Sequence, residues 1–537
     1  MLHALELENF KAFGKRARIP FAPITLIFGE NSAGKSTILQ ALNLLKQTRE
    51  SRETGVLLLP RSENGIVDLG SFQELLFDHE LKRTLSISVE VTVDRIGPFR
   101  SSYKKSKIGI GFSFKRPSPK AEVLLEQIEI YDGESSERIA KFHPLDRTEI
   151  PQEFRRRMGF FRDSRAIPFS KLAAVKCVWL TETVEHWIPE FEWFKDNKER
   201  IRGLLEKRLV DLKHPSEGLR EDSDRFREEY KSLNDGIKFL LSGFDLETYI
   251  SRRHSEEMDT VLEVQGFFPI GIMSGKRSSW ITEFRSFLHR RSDNTIFDVA
   301  QLVMLASRTL EQTLEALFPM GPFRSPPERW YIFRGTSPQD VGYRGDLLPD
   351  LLFRQKSMVK ETNEWLKRLD IGYELKVESV GKNSGDLFEV RLIDIRRKER
   401  VNEERVNVAL PDVGFGISQL LPFIVQSLVS GEQIISIEQP EVHVHPKLQA
   451  DLGDLLAEAI KEPRRNRFIV ETHSEHLILR LQRLVYEKRL DPKDVSVIYV
   501  SRGPEGAKAE RLRLDDEGDF IDEWPNGFFL ERLRELR

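Results

Sequence analysis

Nine consecutive residues decide the fold of this chain: Gly29-Glu30-Asn31-Ser32-Ala33-Gly34-Lys35-Ser36-Thr37. They match the phosphate-binding P-loop pattern GxxxxGK[ST] at every defined position. The apolar run at 24–28 predicts a buried strand before the loop, and the apolar period at 38–45 predicts a helix after it. In that setting, the backbone N–H groups of the loop and the N-terminus of the helix form a binding site for a polyanion. We therefore expect all nine residues to bind a nucleoside triphosphate, with Lys35 at the β- and γ-phosphates and Ser36 holding Mg²⁺.

The composition indicates a soluble globular chain. Its 537 residues are 39% hydrophobic and 31% charged. No apolar run reaches the ~20 residues that a membrane span needs. The strand-like opening at 2–7 predicts that there is no signal peptide. The single cysteine, Cys177, excludes a disulfide framework and a cysteine-based zinc site. We expect a cytoplasmic protein without membrane contact.

The net charge of −3 gives no global basic field that would attract nucleic acid. Local basic clusters occur at 155–157, 289–291 and 396–398. Such clusters are more often solvated faces than phosphate contacts. Nucleic-acid binding is therefore left open but is not supported by charge.

The order of predicted elements indicates an ATPase core that is split by a long insertion. Residues 1–150 should hold the P-loop and an antiparallel β lobe, with strands at 85–91, 108–114 and 122–131. Residues 151–320 should form a mainly helical insertion, with helices at 193–212, 222–241 and 294–318.

Strand character returns in residues 321–500, at 373–377 and 387–395. Strands and helices then alternate at 433–437, 447–460, 467–470, 474–487 and 495–500. This alternation predicts a parallel sheet covered by helices. Residues 501–537 are expected to be a small C-terminal extension.

A second set of motifs lies more than 370 residues after the P-loop. The strand at 434–437 ends in Glu438, a carboxylate placed as in a Walker-B motif to bind Mg²⁺ beside the P-loop. The strand at 468–470 leads to His473, which can hydrogen-bond a γ-phosphate. A Gly/Ser turn at 412–419 precedes a predicted helix at 420–429 and forms a second anion-binding helix N-terminus.

In this order the motifs resemble the ABC-type ATPase heads of the SMC/RecF/OLD group, as does the opening at 5–13. The resemblance implies an α/β fold: a P-loop NTPase of ABC-head type with an antiparallel β lobe and an inserted, mainly helical domain. It implies that His473 is the switch histidine and that Gln73 is a Q-loop residue at Mg²⁺. It also implies a head-to-tail dimer, in which one subunit's signature closes over its partner's nucleotide through Gly414, Gly416, Ser418 and Gln419.

Two further segments are similar to stand-alone bacterial AAA-type ATPases of this group. The stretch at 322–331, together with 340–345, resembles an element of those proteins, and the tail at 519–529 resembles their uncharacterised C-terminal domain. Three arginines of the first element, Arg324, Arg329 and Arg344, could contact phosphate, although ion pairs are the commoner use of such residues.

One departure bears on the mechanism. Heads of this group carry Asp-Glu at the end of the Walker-B strand, where this chain has Glu438-Gln439. Gln439 can orient water but cannot accept a proton, and loss of a general base costs typically ~10²–10⁴-fold in rate. Either hydrolysis is slow and ATP mainly holds a closed dimer, or Glu441 supplies the missing carboxylate.

Histidines near these acids suggest a metal centre, but their spacing argues against one. Glu441, His443 and His445 lack the further ligands that zinc needs, so we expect them to order a loop. The cluster at 471–476 resembles a metal nuclease site only superficially, and the P-loop context favours a γ-phosphate sensor.

The sequence thus favours an ATPase that dimerises around nucleotide and acts as a switch. Its resemblance to the ATPase of Septu-type systems implies a role in anti-phage defence with a separate nuclease partner. Two alternatives stay open: a RecF- or SMC-like repair ATPase that binds DNA directly, and an oligomeric scaffold whose ATP is structural.

Overall fold

The computed structural model describes residues 1–51, 57–63, 65–93, 106–134, 136, 138–142, 172–177, 198–213, 234, 258–265, 267–274, 295–381, 386–396 and 406–525. Their strands are β1 (Leu2–Glu8), β2 (Ala17–Pro20), β3 (Ile24–Gly29), β4 (Leu85–Val93), β5 (Ser106–Lys115), β6 (Leu124–Asp132), β7 (Arg138–Phe142), β8 (Leu172–Cys177), β9 (Met258–Gln265), β10 (Phe268–Ser274), β11 (Leu317–Met320), β12 (Tyr331–Ile332), β13 (Tyr373–Ser379), β14 (Leu387–Asp394), β15 (Asn407–Ala409), β16 (Ile434–Glu438), β17 (Arg467–Glu471), β18 (Val495–Gly503) and β19 (Gly506–Leu512).

The helices are α1 (Lys35–Glu50), α2 (Phe72–Leu75), α3 (Lys198–Lys213), α4 (Thr295–Ala316), α5 (Leu348–Arg354), α6 (Lys356–Arg368), α7 (Phe415–Val429), α8 (Pro446–Ala459) and α9 (Glu475–Tyr486). Among the residues described, no helix is long and apolar enough to span a membrane.

A six-stranded sheet in the order β11-β16-β17-β3-β18-β19 forms the core. Its first five strands are parallel, and β19 returns antiparallel to β18. Every residue of β3 is buried, because Leu26 and Phe28 pack in one core with α7, α8 and α9 while Ile27 packs in another with α1 and α4. Burial on both faces explains the continuous apolar run of β3.

The predicted antiparallel lobe is confirmed as a six-stranded sheet in the order β2-β1-β4-β5-β6-β7. The apolar residues at alternate positions of β4 and β5 are buried, and so are the residues between them at 87–91 and 108–112, including Ser88 and Glu90. The buried Phe267 ring, in the loop between β9 and β10, meets Phe112 and Phe114 of β5 edge-on, with centroids 4.7 and 5.9 Å away. The inserted segment therefore packs on the lobe through aromatic contacts.

The insertion contains a three-stranded antiparallel sheet, β10-β9-β8, which the sequence analysis did not predict. Two of the three predicted helices are present as α3 and α4, and the third, at 222–241, lies outside the described residues except for residue 234. The predicted end of α4 at 318 is wrong: the helix ends at Ala316, because Leu317–Met320 pairs with β16 as the edge strand of the core.

The C-terminal half follows the predicted alternation of strands and helices. A small sheet of β12, β14 and β13, with β15 on β14, lies next to the core. The boundary predicted after residue 500 falls inside β18, and β19 joins the core sheet, so residues 506–512 are part of the head. The predicted α/β P-loop fold with an antiparallel lobe and an insertion is confirmed.

Candidate nucleotide site

The P-loop joins β3 to α1 as predicted, and two glycines are required by its backbone. Gly29 and Gly34 have φ angles of 138° and 107°, which favour glycine. A Cβ atom on Gly29 would lie 1.9 Å from the carbonyl oxygen of Val500, and one on Gly34 would lie 2.5 Å from Cβ of Ala12. The loop is therefore closed tightly against β18 and the N-terminal turn.

Lys35 lies beneath this loop with only 4% of its surface exposed. Its Nζ donates hydrogen bonds to the carbonyl oxygens of Gly29 at 3.1 Å and Glu30 at 2.7 Å. Burial lowers the pKa of Lys35. The tip of the loop, Glu30 to Ser32, is exposed, so a ligand can reach the loop from solvent.

Two acids end neighbouring strands beside the loop. Glu438 ends β16 and Glu471 ends β17, and the two are directly paired in the parallel register. Burial and the charge of Glu471 raise the pKa of Glu438 to about 7. Burial also raises the pKa of Glu471, whose Oε1 accepts a hydrogen bond from Ser36 Oγ at 2.9 Å.

The strand order shows which acid contacts the P-loop serine. β17 lies between β16 and β3, so Glu438 ends the second strand away from the P-loop strand. The acid hydrogen-bonded to Ser36 is therefore Glu471, which the sequence analysis had placed only in the superficial metal cluster. The C-terminal ends of β16, β17 and β3, with the P-loop, are called the nucleotide edge below.

The loops that follow these strands are bound to one another. The backbone N–H of His473 donates to Glu441 Oε1 at 2.6 Å, and the backbone N–H of Gln439 donates to the Glu471 carbonyl at 2.7 Å. His473 is half-buried, and its pKa is lowered by burial and by the charge of Lys35. The predicted switch histidine therefore lies within electrostatic reach of the P-loop lysine.

The Gly/Ser segment forms the first turn of α7, which begins at Phe415 and not at residue 420 as predicted. Gly414 is exposed at its N-cap, whereas Ser418 and Gln419 are 7% and 4% exposed. A Cβ atom on Gly416 would lie 2.4 Å from the His443 carbonyl oxygen. The turn is thus packed closely on the loop that follows β16.

Arg324 follows β11, next to the Walker-B strand, and is only 5% exposed. Its backbone N–H donates to Gln419 Oε1 at 3.4 Å, and its Nη1 donates to the Pro322 carbonyl at 3.4 Å. Nε and Nη2 have no hydrogen-bond partner. Burial lowers its pKa to about 10, against the opposing charges of Glu441 and Glu438. A buried cation thus lies at the signature helix near the acids.

Residues 24–480 match the profile of a family described as "AAA domain, putative AbiEii toxin, Type IV TA system". The chain belongs to this family. The match includes the P-loop, α7, β16 and β17, so this member of the AAA family is a P-loop ATPase. No significant match is found among curated proteins.

Several solved structures are similar to the chain. The Smc head domain of Pyrococcus furiosus bound to the C-terminal domain of ScpA is 12% identical, with a TM-score of 0.34 over 100% of this chain and 99% of that one. The SMC head domain of Thermotoga maritima is 11% identical, with a TM-score of 0.34 over 96% and 99%. The Smc head domain of Pyrococcus yayanosii, with a coiled coil and joint, is 14% identical, with a TM-score of 0.34 over 96% and 98%.

Three other residues singled out from the sequence of this AAA protein, Gln73, Arg329 and Arg344, are exposed at the surface. Gln73 is exposed on α2, where its amide donates to the His79 carbonyl at 3.1 Å, and its role at Mg²⁺ stays a prediction. Arg329 forms a bidentate ion pair with Asp412, at 2.6 and 2.9 Å, as expected for a structural arginine. Arg344 is exposed.

The loop after β16 is ordered by one of its histidines. Nδ1 of His445 accepts a hydrogen bond from the backbone of Lys447 at 3.3 Å and caps α8, while His443 is exposed. The described part of the chain contains no group of three His, Cys, Asp or Glu side chains arranged to hold a metal. The basic clusters at 155–157 and 289–291, and residues 397–398 of the third, lie outside the described residues.

Proposed function

We propose that this chain binds ATP and Mg²⁺, hydrolyses ATP slowly, and acts as a switch by dimerising head-to-tail around the nucleotide. One observation carries the proposal. The P-loop, the acids Glu438 and Glu471, and His473 lie together at the nucleotide edge. The same chain presents the exposed Gly414 at the start of α7. A triphosphate bound at the nucleotide edge would present its γ-phosphate to the N-terminus of α7 in a second subunit.

Each residue then has a role in binding or positioning. All nine P-loop residues surround the phosphates, and Lys35 exchanges the loop carbonyls for β- and γ-phosphate oxygens. When bound, Mg²⁺ neutralises the charge that the two phosphates share. Ser36 and Glu438 would hold it, with Gln73 as a further candidate. His473 hydrogen-bonds the γ-phosphate and so detects whether it has been cleaved.

Slow turnover follows from Gln439. Its backbone is fixed by the hydrogen bond to Glu471, and its amide can orient water but cannot remove a proton. Phosphoryl transfer depends mostly on positioning and electrostatics, so turnover is reduced and not abolished. Because hydrolysis is slow, ATP would then stay bound and keep the dimer closed for longer.

Exposed apolar side chains next to the signature segment support dimerisation. Phe323, Trp330 and Ile332 are 85%, 59% and 72% exposed. The ion pair between Arg329 and Asp412 ties this stretch to the turn that precedes α7. Contiguous exposed apolar surface marks an interaction site, and in the proposed dimer this stretch would adjoin the helix N-terminus that receives the partner's nucleotide.

We further propose a defence role with a separate nuclease subunit. The family description names a toxin of a type IV toxin–antitoxin system, which supports a function in bacterial conflict. A nuclease encoded beside this gene would agree with the proposal. DNA cleavage by the purified chain alone would contradict it.

The central test is the mass of the purified chain, measured with and without a slowly hydrolysed ATP analogue and Mg²⁺, together with phosphate release from ATP. We expect the mass to double with nucleotide, and we expect Lys35→Ala to abolish both the doubling and the release. Phe323→Ser should weaken the dimer and leave nucleotide binding intact. Tyr486→Ser is the matched control, because Tyr486 is 70% exposed on α9. A mass that is independent of nucleotide would reject the switch.

A further inference from the structure

Glu438 and Glu471 form a pair of carboxylates on adjacent strands. They are register partners in a parallel ladder, so their side chains project from the same face of the sheet. Adjacent parallel strands lie about 4.8 Å apart, which brings two like charges close together in a mostly buried place. Such a pair is stabilised when a cation lies between or beside the two groups.

Glu471 is the member of the pair that contacts the P-loop. Its Oε1 accepts the hydrogen bond from Ser36 Oγ at 2.9 Å. Its Oε2 has no hydrogen-bond partner, although the residue is only 4% exposed. Burying an ionised carboxylate oxygen costs free energy unless the oxygen accepts a hydrogen bond or binds a cation.

The fold explains why this acid reaches Ser36. The central strand β17 is hydrogen-bonded on one side to β16 and on the other to β3, and Thr472 N–H continues the ladder to the Ile27 carbonyl at 3.1 Å. Glu471 therefore ends directly beside the first turn of α1. Glu438 is one strand farther from the loop.

We infer that Glu471, together with Ser36 and Glu438, forms the divalent-cation site of this chain, with Glu471 as the carboxylate nearest the P-loop. The inference rests on the proposed binding of ATP with Mg²⁺. Hard oxygen ligands suit this ion, which is commonly bound through one or two carboxylates together with substrate phosphates. The sequence motif alone assigns only Ser36 and the Walker-B acid, so Glu471 is an addition.

A purely structural role for Glu471 makes a different prediction. If the side chain only accepts the Ser36 hydrogen bond, glutamine would replace it fully, because its amide oxygen also accepts. If it binds the ion, glutamine removes the charge and weakens the site. The substitution Glu471→Gln therefore separates the two roles while it preserves size and shape.

The experiment measures Mn²⁺ binding to the full chain by electron paramagnetic resonance, in the presence of a non-hydrolysable ATP analogue. Analogue binding in excess chelator is measured separately by calorimetry. We expect Glu471→Gln to weaken Mn²⁺ by at least about tenfold, the lower end of what is lost when a metal site's supporting groups are removed. Glu438→Gln should also weaken it, and Asp350→Asn, which changes a buried acid on α5 outside the site, should not.

The outcomes are distinguishable. Unchanged Mn²⁺ affinity in a folded Glu471→Gln variant overturns the inference while the proposed function stands. Failure of the unaltered chain to bind the analogue at all would overturn the proposed function. If Glu471→Gln does not fold, Glu471→Asp keeps the charge but shortens its reach by one methylene group. Mn²⁺ affinity equal to that of the unaltered chain would then count against the inference.

Discussion

The backbone N–H of His473 donates a hydrogen bond to Oε1 of Glu441 at 2.6 Å, which joins the loop after β17 to the loop after β16. Glu441 is 9% exposed and its other oxygen has no hydrogen-bond partner. One carboxylate oxygen of Glu441 thus holds the loop that contains His473. This contact favours a positioning role for Glu441 over the role of general base that the sequence analysis left open.

Substitutions at Glu441 test that role. Glu441→Gln keeps an acceptor for the His473 N–H and should retain most of the ATPase rate, whereas Glu441→Ala removes the acceptor and should lower the rate by about tenfold or more. Steady-state phosphate release checks both. A loss of ~10²-fold or more in Glu441→Gln would instead identify Glu441 as the base.

Gln439→Glu should raise the rate of hydrolysis. The change supplies a proton acceptor next to Glu438, and a general base is worth typically ~10²–10⁴-fold, so a gain of at least about tenfold is expected. The backbone there has a φ of 45° and is unaffected by the side-chain exchange. Single-turnover phosphate release separates this chemical step from product release. No gain, combined with loss of turnover in Glu441→Gln, would refute slow hydrolysis through Gln439.

Two glycines of the signature segment should behave differently. A Cβ atom at Gly416 would meet the His443 carbonyl at 2.4 Å, so Gly416→Ala should cost about 1–3 kcal/mol in the free energy of unfolding. Gly414 has open space around the same position, so Gly414→Ala should change that free energy by less than about 0.5 kcal/mol. Denaturant unfolding measures both.

Gly414→Ala also tests the dimer. Gly414 is exposed at the N-cap of α7, so in the proposed dimer a methyl group there would lie between the helix and the partner's phosphate. We expect normal ATP binding with weakened nucleotide-dependent association, measured by mass. Unaltered association would argue against contact in trans at this position.

Acid should destabilise the β lobe through His3. His3 contacts Thr92, and burial lowers its pKa from 6.5 to about 4, helped by the charges of Lys107, Arg467, Arg18 and the N-terminus. The unfolded chain therefore takes up a proton between pH 6.5 and 4 that the folded chain does not, and the free energy of unfolding falls over that window. His3→Gln should remove that part of the pH dependence. Denaturant unfolding at pH 7 and pH 5 should show a difference of at most about 1 kcal/mol, because the ring is partly exposed.

The local elements of the fold were predictable, and the long-range pairings were less so. The P-loop strand, α1 and the strands of the lobe follow from apolar period and alternation, which are local properties. The hydrogen bond between Ser36 and Glu471 joins residues 435 positions apart and depends on β17 lying between β16 and β3, which no local pattern states. The alternating Met258–Gln265 was a missed signal for the sheet of the insertion. Arg324 was noted, but its burial depends on a long-range contact, in which its backbone N–H donates to Gln419 Oε1 of α7.

Arg324→Met should separate stability from function. The guanidinium makes one side-chain hydrogen bond, to the Pro322 carbonyl, and leaves Nε and Nη2 without partners in a buried place. Burying a charge whose donors lack hydrogen-bond partners costs free energy that an apolar side chain of similar volume does not, so we expect the free energy of unfolding to stay the same or rise by about 1 kcal/mol. The change also removes the positive charge that opposes Glu438 and Glu441, so hydrolysis should slow by about tenfold or more.

Arg344→Met, at an exposed arginine of the same region, is the matched control and should alter neither the free energy of unfolding nor the rate of hydrolysis. A strongly destabilised Arg324→Met variant would show that the guanidinium is a structural element of the core, and an unchanged rate would show that its charge does not act on the nucleotide edge.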